Sequence, residues 1–296
     1  MTAAEATTGP TRPSVDASLV EPRKPALREY EDFANLTFQL PALNRLLDLV
    51  GISPEQDMVD LGCGTGMVTR ALLDRRGTGA SGRIYAVDPE PAMLEKASKS
   101  LEQSAAAAVS WVVGRAEDLD RLVPPVDRVL FCNAIHLVEE KANGLQAIFE
   151  SLKPTGRLAF NSAYTKDHRP PESESFYVAW MRQALRALRQ DHPDVQRDPS
   201  APRPLAGTDL MSRDEYLDLA RQTGFRVVAD EVAQVDMPLE SWVDISAYSR
   251  FVRSVLPGVP LEWAAEALQE GARRAFRRLG LTSVPRNWFQ VVLERP

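Results

Sequence analysis

Residues 59–66 read Val-Asp-Leu-Gly-Cys-Gly-Thr-Gly, a short apolar run that leads into glycines at positions 62, 64 and 66. A run of this kind predicts a buried strand, and the residues from Met67 onward predict a helix. Glycine tolerates positive φ and has no Cβ to keep a ligand away from the backbone. The pattern therefore predicts a strand, a tight turn that binds a ligand, and a helix.

The next predicted strand, residues 83–88, ends in Asp88. In α/β nucleotide-binding units a carboxylate about 20 residues past the glycine turn binds the ribose. The spacing Gly-x-Gly-x-Gly differs from the Gly-x-Gly-x-x-Gly of dinucleotide enzymes, whose turn and helix face a pyrophosphate. A plain tight turn is the simpler explanation of the glycines alone, and Asp88 argues against it. Together they predict a nucleoside ligand without a pyrophosphate.

Four segments, in family order, resemble motifs of the class I S-adenosylmethionine-dependent methyltransferases: residues 59–66, 85–94, 114–119 and 152–158. The resemblance implies S-adenosyl-L-methionine as cofactor and S-adenosyl-L-homocysteine as product. It implies a Rossmann-like α/β fold with a doubly wound, mostly parallel sheet of seven strands, the last of them antiparallel. The alternation of predicted strands and helices over residues 58–162 favours the same parallel arrangement.

The resemblance also implies roles for residues of the glycine turn. Four of them are expected to contact the cofactor, the first three at its methionine portion: Gly62, Cys63, Gly64 and Gly66. Asn133, at the end of the fourth predicted strand, is expected close to the same portion. Asp60 is expected to orient the turn through backbone amides.

A second group of residues is expected around the nucleoside. Asp88 is expected to accept both ribose hydroxyls, with Pro89 beside it. Ala116 is expected to contact the adenine through its backbone, and Glu117 to bind the adenine amine. Asp118 is the alternative carboxylate for that role, or else it caps the helix that follows.

The N-terminal residues divide into two predicted parts. Residues 1–25 are rich in Thr, Ala and Pro and are predicted to be disordered. Residues 26–50 predict helices, and the first carries the aromatic residues Tyr30, Phe33 and Phe38. We expect Tyr30 and Phe38 to cover the cofactor by apolar and cation–π contact; packing of the helix onto the sheet is the alternative.

Two insertions interrupt the core, which comprises residues 26–162, 211–235 and 286–296. The insertions, residues 163–210 and 236–285, follow the fifth and sixth strands, whose carboxyl ends lie at the ligand-binding edge of an open α/β sheet. We therefore expect one helical lid above the cofactor. Its aromatic residues predict a closed apolar substrate pocket, or alternatively form the lid's own core: Phe176, Tyr177, Trp180, Trp242, Tyr248, Phe251, Trp263 and Phe276.

Ser212 and Glu215 have the spacing of a capping box, which predicts a helix start. His136 follows the fourth strand, where the resemblance places a histidine near the substrate. It is the candidate general base, since an ordinary imidazole pKa suits proton transfer at neutral pH. Positioning the substrate without proton transfer is the alternative. His168 and His192 lie in Pro-rich segments and are expected at the surface, and no residue spacing predicts a metal site.

Composition excludes several classes of function. The chain of 296 residues has a net charge of −6 and a pI near 5.3, which argues against an extended nucleic-acid surface. Residues 132–135, Cys-Asn-Ala-Ile, lack the prolines of enzymes that methylate nucleobase or amide nitrogens. The arginines at 273, 274, 277 and 278 read as a solvated helix face. Two cysteines and no apolar span or leader predict a cytoplasmic protein, with the oligomeric state open.

The sequence thus predicts a methyltransferase that acts on an oxygen, carbon or nitrogen atom of an apolar or aromatic small molecule, in secondary metabolism. A cyclase that uses the same fold and bound cofactor without methyl transfer is the first alternative. A cofactor-binding partner subunit without activity of its own is the second.

Overall fold

The computed structural model of the protein describes residues 39–101, 105, 107–201 and 210–296. The predicted disordered segment 1–25 and the predicted cover residues Tyr30, Phe33 and Phe38 lie outside the described residues.

Helices and strands alternate through the first half of the described chain. The strands are β1 (Met58–Leu61), β2 (Ile84–Asp88), β3 (Val109–Val113), β4 (Val126–Cys132), β5 (Leu152–Ser162), β6 (Arg226–Pro238) and β7 (Ser283–Glu294). The helices of the described residues are α1 (Leu40–Val50), α2 (Met67–Arg76), α3 (Pro91–Ser100), α4 (Leu119–Leu122), α5 (Lys141–Ser151), α6 (Glu174–Asp191), α7 (Arg213–Thr223), α8 (Leu239–Ile245), α9 (Ser249–Val255) and α10 (Leu261–Leu279).

The seven strands form one sheet in the order β3-β2-β1-β4-β5-β7-β6. Strands β1 to β5 pair in parallel, and β7 lies antiparallel between β5 and β6. This confirms the predicted doubly wound sheet with an antiparallel last strand. The strand order reverses between β1 and β4, so a crevice opens at the carboxyl ends of these central strands, where α/β sheets bind ligands.

Two predicted element boundaries need correction. Strands β6 and β7 are longer than predicted, because their antiparallel pairing continues as far as Pro238 and Ser283. Two helices, α8 and α9, begin the second insertion. The backbone between them makes hydrogen bonds to the third preceding residue, from Ala247 to Asp244 and from Tyr248 to Ile245, as in a 3₁₀ helix. The helix predicted to start at Ser212 is confirmed, including both hydrogen bonds of its capping box with Glu215.

Apolar clusters cover both faces of the sheet, and a third apolar cluster joins α6 to α8–α10. We call the helical layer of α6 and α8–α10 the lid. Its centre is a group of stacked and edge-to-face aromatic rings from Phe176, Trp180, Trp242 and Phe276. Such contacts stabilise a packed layer beyond the area that they bury. No described helix has the length and apolar character needed to span a membrane.

Candidate active site

The glycine turn after β1 requires glycine for its backbone shape and for space. Gly62, Gly64 and Gly66 have φ angles of 65°, 52° and 87°, in the left-handed region. A Cβ at Gly62 would lie 2.9 Å from Cβ of Ala134. The backbone N–H groups of Gly62 and Cys63 donate to the carbonyl of Val87 at 2.8 and 3.1 Å, which holds the turn against the end of β2.

Asp88 joins this turn from the neighbouring strand. One carboxylate oxygen accepts the backbone N–H of Gly64 at 2.9 Å, and the other accepts that of Glu90 at 2.9 Å. Burial raises the pKa of Asp88, and these two amide donors oppose that rise. Each oxygen has room for a second donor, so the carboxylate can still accept hydroxyl groups from a ligand.

Asp60 has a different contact from the predicted one. Its carboxylate accepts the hydroxyl of Thr69 at 2.5 Å, so it anchors the first turn of α2 rather than the amides of the glycine turn. Burial raises the pKa of Asp60 to about 7. Neither Asp60 nor Gly66 lines the cavities described below; a Cβ at Gly66 would lie 3.1 Å from Ala97 of α3, so this glycine serves helix packing.

A cavity of about 400 Å³ lies over the carboxyl ends of β1, β2 and β4. Predicted site residues from three different loops line it together: Gly62, Gly64, Asp88, Pro89, Ala116 and Glu117. Asp118, the alternative to Glu117, does not line it and faces Arg121 at 3.8 Å instead. Tyr248 and Arg250 of the lid side complete the wall, and sequence reasoning did not single out Arg250.

A narrower cavity of about 30 Å³ lies on the other side of the turn. Its walls include Cys63, Thr65 and Asn133, and the Thr65 hydroxyl is buried with no hydrogen-bond partner among the described residues. Asn133 has a φ of 50°, and its side-chain oxygen accepts the backbone N–H of Ala163 at 3.1 Å. Asn133 thus ties the end of β4 to the segment that leads into the lid. Burial raises the pKa of the Cys63 thiol well above its usual range, so it stays protonated.

His136 lies in a single turn of 3₁₀ helix after β4. Its Nδ1 is 3.3 Å from the hydroxyl of Ser162, and its ring packs 4.4 Å from the ring of Tyr164. Burial, and to a smaller extent the positive charges of Arg250, Lys141 and Arg286, lower its pKa to about 3. The imidazole is therefore neutral at neutral pH and is a weak base.

The expectation that His168 and His192 are surface residues is wrong. His168 is half-buried, with Nδ1 2.5 Å from the carbonyl of Thr165, and burial lowers its pKa to about 3. His192 stacks on Trp263 at 4.5 Å and faces Glu266 at 3.1 Å. Both rings pack within the helical part of the molecule because their Pro-rich segments fold back onto it. Among the residues that the structure covers, no group of three or more His, Cys, Asp or Glu side chains is arranged to bind a metal.

A further cavity, of about 310 Å³, lies within the lid; we call it the lid cavity. Of the predicted aromatic residues, Tyr177, Trp180 and Phe251 line it, whereas Phe176, Trp242 and Phe276 are buried in the lid core. Trp263 is 37% exposed. Three of the predicted residues thus line a cavity and three pack in the lid core, and the substrate pocket stays a prediction.

Sequence reasoning missed Arg286, which also lines the lid cavity. The alternation of Val284, Arg286 and Trp288 along β7 was the available signal, because alternate residues of a strand share a face. Those three side chains are all buried.

Comparisons with known proteins agree with this geometry. A family model described as a methyltransferase domain matches residues 58–156, which contain the glycine turn, Asp88 and Glu117. The match supports a class I S-adenosylmethionine-dependent methyltransferase fold for this third of the chain. It is 29% identical over 137 residues to a malonyl-[acyl-carrier protein] O-methyltransferase of Acetivibrio thermocellus, covering 46% of this chain and 45% of that protein. The chain thus spans less than half of this relative's length.

A longer match exists to a trans-aconitate 2-methyltransferase of Pseudomonas paraeruginosa. It is 28% identical over 266 residues and covers 83% of this chain and 80% of that protein. Among solved structures, the [4+2]-cyclase SpnF has a TM-score of 0.51 at 13% identity, covering 86% of this chain and 81% of that one. At that identity the likeness shows the fold alone.

The residues present fit the family's cofactor. Each carboxylate oxygen of Asp88 accepts one backbone N–H group. Each oxygen can therefore accept a further hydrogen bond, from a ribose hydroxyl in the cavity. The buried Thr65 hydroxyl makes no hydrogen bond to any described residue. The polar methionine end of the cofactor would supply a hydrogen-bond partner for it.

Proposed function

We propose that this chain binds S-adenosylmethionine and transfers its methyl group to an oxygen, carbon or nitrogen atom of a lipophilic small molecule. The observation that carries the proposal is the cavity of about 400 Å³, which extends from Asp88 and Glu117 to Tyr248 and Arg250. The cofactor side and a part of the lid side therefore line the same cavity, as a transfer between two bound molecules requires.

The glycine turn and the loops beside it bind the methyl donor. Asp88 binds the ribose, Glu117 binds the adenine amine, and Thr65 and Asn133 border the methionine end. The sulfonium of the cofactor supplies a methyl group with a good leaving group. The protein's main tasks are then to align the acceptor and to exclude water, and alignment can contribute about 7–11 kcal/mol.

His136 positions the acceptor. With a pKa of about 3 its imidazole is uncharged at neutral pH, so it can accept a hydrogen bond from an acceptor hydroxyl or amine. For acceptors that must lose a proton, the proposal also includes His136 as the general base. Its low pKa makes it a weak base in this role. An anionic substrate near Arg250 and Arg286 would offset their charge and raise the pKa of His136.

The acceptor is a small molecule in this proposal. Two relatives support it by name, a trans-aconitate 2-methyltransferase and an aklanonic acid methyltransferase of Streptomyces. We include a place in secondary metabolism and a cytoplasmic setting in the proposal, because aromatic side chains line part of the lid cavity and the two thiols are unpaired.

The test combines cofactor binding with product analysis. S-adenosylhomocysteine binding is measured by calorimetry, and methyl-labelled S-adenosylmethionine is incubated with a panel of aromatic acids, phenols and amines. Labelled product with release of S-adenosylhomocysteine is expected. A rearranged product without that release would replace the proposal by a cyclase, and tight binding with no turnover on any substrate would replace it by a partner subunit.

A further inference from the structure

Arg286 is buried, and its positive charge has no anionic partner among the described residues. Its side chain is 3% exposed and lines the lid cavity. Its partners in the described part of the chain are the carbonyl of Ala163 at 2.9 Å and the rings of Tyr164 and Trp288 at 5.0 and 6.0 Å. None of these carries a negative charge. A buried charge without a counter-ion is costly, so a site of this kind favours an anion.

Two buried hydrogen-bonding groups of the lid cavity have no partner within the described part of the chain. They are the Nε of Arg286 and the hydroxyl of Tyr177, and both residues line the cavity. The guanidinium donors match a carboxylate in geometry and charge, and the Tyr177 hydroxyl adds a second kind of donor. Buried donors of this kind are normally satisfied, by protein, water or ligand.

The charge around the lid cavity is positive. Arg169 lines it with its guanidinium 4.3 Å above the ring of Tyr177, and no Asp or Glu among the described residues lines it. The positive charge of Arg286 also contributes, after burial, to the low pKa of His168 on the same wall. A bound anion would therefore meet no nearby negative charge.

The rest of the wall is aromatic and apolar. Trp180, Tyr177 and Phe251 surround a volume of about 310 Å³, which is near the lower end of the range for small-molecule pockets. A small inorganic anion would leave these rings without contact, whereas an aromatic carboxylic acid would contact both the rings and the arginine.

We infer that the lid cavity binds the carboxylate of an aromatic or apolar carboxylic acid, held by Arg286 with the hydroxyl of Tyr177. The inference rests on the proposed function, since it assigns the substrate class of that enzyme. Tyr164 lines the lid cavity and lies beside both residues proposed to hold the substrate, because its ring contacts His136 at 4.4 Å and the guanidinium of Arg286 at 5.0 Å. In this inference the bound carboxylate holds the substrate so that its body lies between the lid cavity and the cavity of about 400 Å³.

The test compares ligands that differ in charge. Binding of 2-naphthoate, of 2-naphthamide and of sulfate is measured by calorimetry on the full chain with saturating S-adenosylhomocysteine. We expect naphthoate to bind about 10- to 100-fold more tightly than the amide, the ratio for a charge-assisted hydrogen bond. Equal affinity of acid and amide, or sulfate binding as tight as that of the acid, would overturn the inference.

Variants assign the preference to its residue. Arg286→Gln should lose the preference for the acid and Arg286→Lys should retain part of it. Arg278→Gln, an exposed lid arginine with the same charge change, should keep it. If Arg286→Gln does not fold, Tyr177→Phe provides the test and should weaken naphthoate binding several-fold. An undiminished preference for the acid in folded Arg286→Gln, or undiminished naphthoate binding in Tyr177→Phe, contradicts the inference. S-adenosylhomocysteine affinity, measured in each variant, separates a failure here from a failure of the proposed function.

Discussion

The carboxylate of Asp88 accepts the backbone N–H of Gly64 at 2.9 Å, so the end of β2 fixes the turn that follows β1. The residue proposed to bind the ribose therefore also holds the backbone proposed to bind the methionine portion. Its second oxygen holds the N–H of Glu90 in the same way. Cofactor binding at one end of this site is thus coupled to the shape of the other end.

Replacement of Asp88 by Ala is expected to weaken S-adenosylhomocysteine binding by about 10- to 100-fold. The variant loses charged hydrogen bonds to the ligand, each of about 1.5–3 kcal/mol. Calorimetry measures the dissociation constant, and thermal unfolding verifies that the variant is folded. Asp74→Ala, an exposed carboxylate on α2, is the control and should bind as the wild type does. An unchanged dissociation constant in Asp88→Ala would remove this residue from the cofactor site.

Replacement of Gly62 by Ala is expected to impair both stability and cofactor binding. The new Cβ would lie 2.9 Å from Cβ of Ala134, and the φ of 65° strains any residue with a Cβ. Gly280→Ala has the same φ of 65° but open space around it, so it reports the backbone strain alone. In Gly62→Ala the crowding costs about 1–3 kcal/mol and should weaken S-adenosylhomocysteine binding about tenfold. In Gly280→Ala, where no crowding occurs, binding should be unchanged. Equal binding by the two variants would contradict a ligand role for the turn.

The core and the cofactor side of the site were predictable because their signals are local. Gly62 to Gly66 need their backbone angles whatever the rest of the chain does, and the capping box of Ser212 and Glu215 spans a single helical turn. Asp88 follows from its position at a strand end. Parallel strands bring such ends to one edge, so the chain order of the motifs already places them together.

The lid was less predictable because its contacts join residues far apart in sequence. Trp180 donates its indole N–H to the carbonyl of Leu268 at 2.8 Å, and no local pattern indicates that pair. The burial of His168 and Arg286 depends on how the two insertions pack against β7. An aromatic residue of an amphipathic helix faces either a core or a cavity, and periodicity alone does not distinguish the two.

Replacement of Glu117 by Gln is expected to weaken S-adenosylhomocysteine binding about tenfold. Glu117 lines the cavity of about 400 Å³, and the change replaces a charged acceptor of the adenine amine with a neutral amide. Asp118→Asn is the matched control, since Asp118 is the next residue and does not line that cavity. Competition with S-adenosylhomocysteine in a fluorescence binding assay measures both variants. A larger loss in Asp118→Asn would reverse the assignment of the adenine carboxylate.

The stability of the protein is expected to depend on pH through His168. Burial and the neighbouring charge of Arg286 lower its pKa to about 3, whereas an unfolded-chain histidine has a pKa of about 6.5. Between these values the unfolded state binds a proton that the folded state does not, so this contribution to stability is lost as the pH falls below about 6.5. His168→Gln removes it. Urea unfolding should therefore show a shallower fall in the free energy of unfolding from pH 6.5 to pH 4.

Replacement of Asp60 by Asn tests the same linkage with the opposite sign. Burial raises the pKa of Asp60 to about 7, against about 3.9 in an unfolded chain, so here the folded state retains the extra proton. Its contribution to stability is present below about pH 3.9 and is lost as the pH rises through 7. Asn preserves an acceptor for the Thr69 hydroxyl, so the free energy of unfolding of Asp60→Asn should decline less than that of the wild type as the pH is raised from 4 to 7. The two variants thus change the pH dependence in opposite directions, and a change of the same sign in both would contradict the assignment of these protonation states to buried groups.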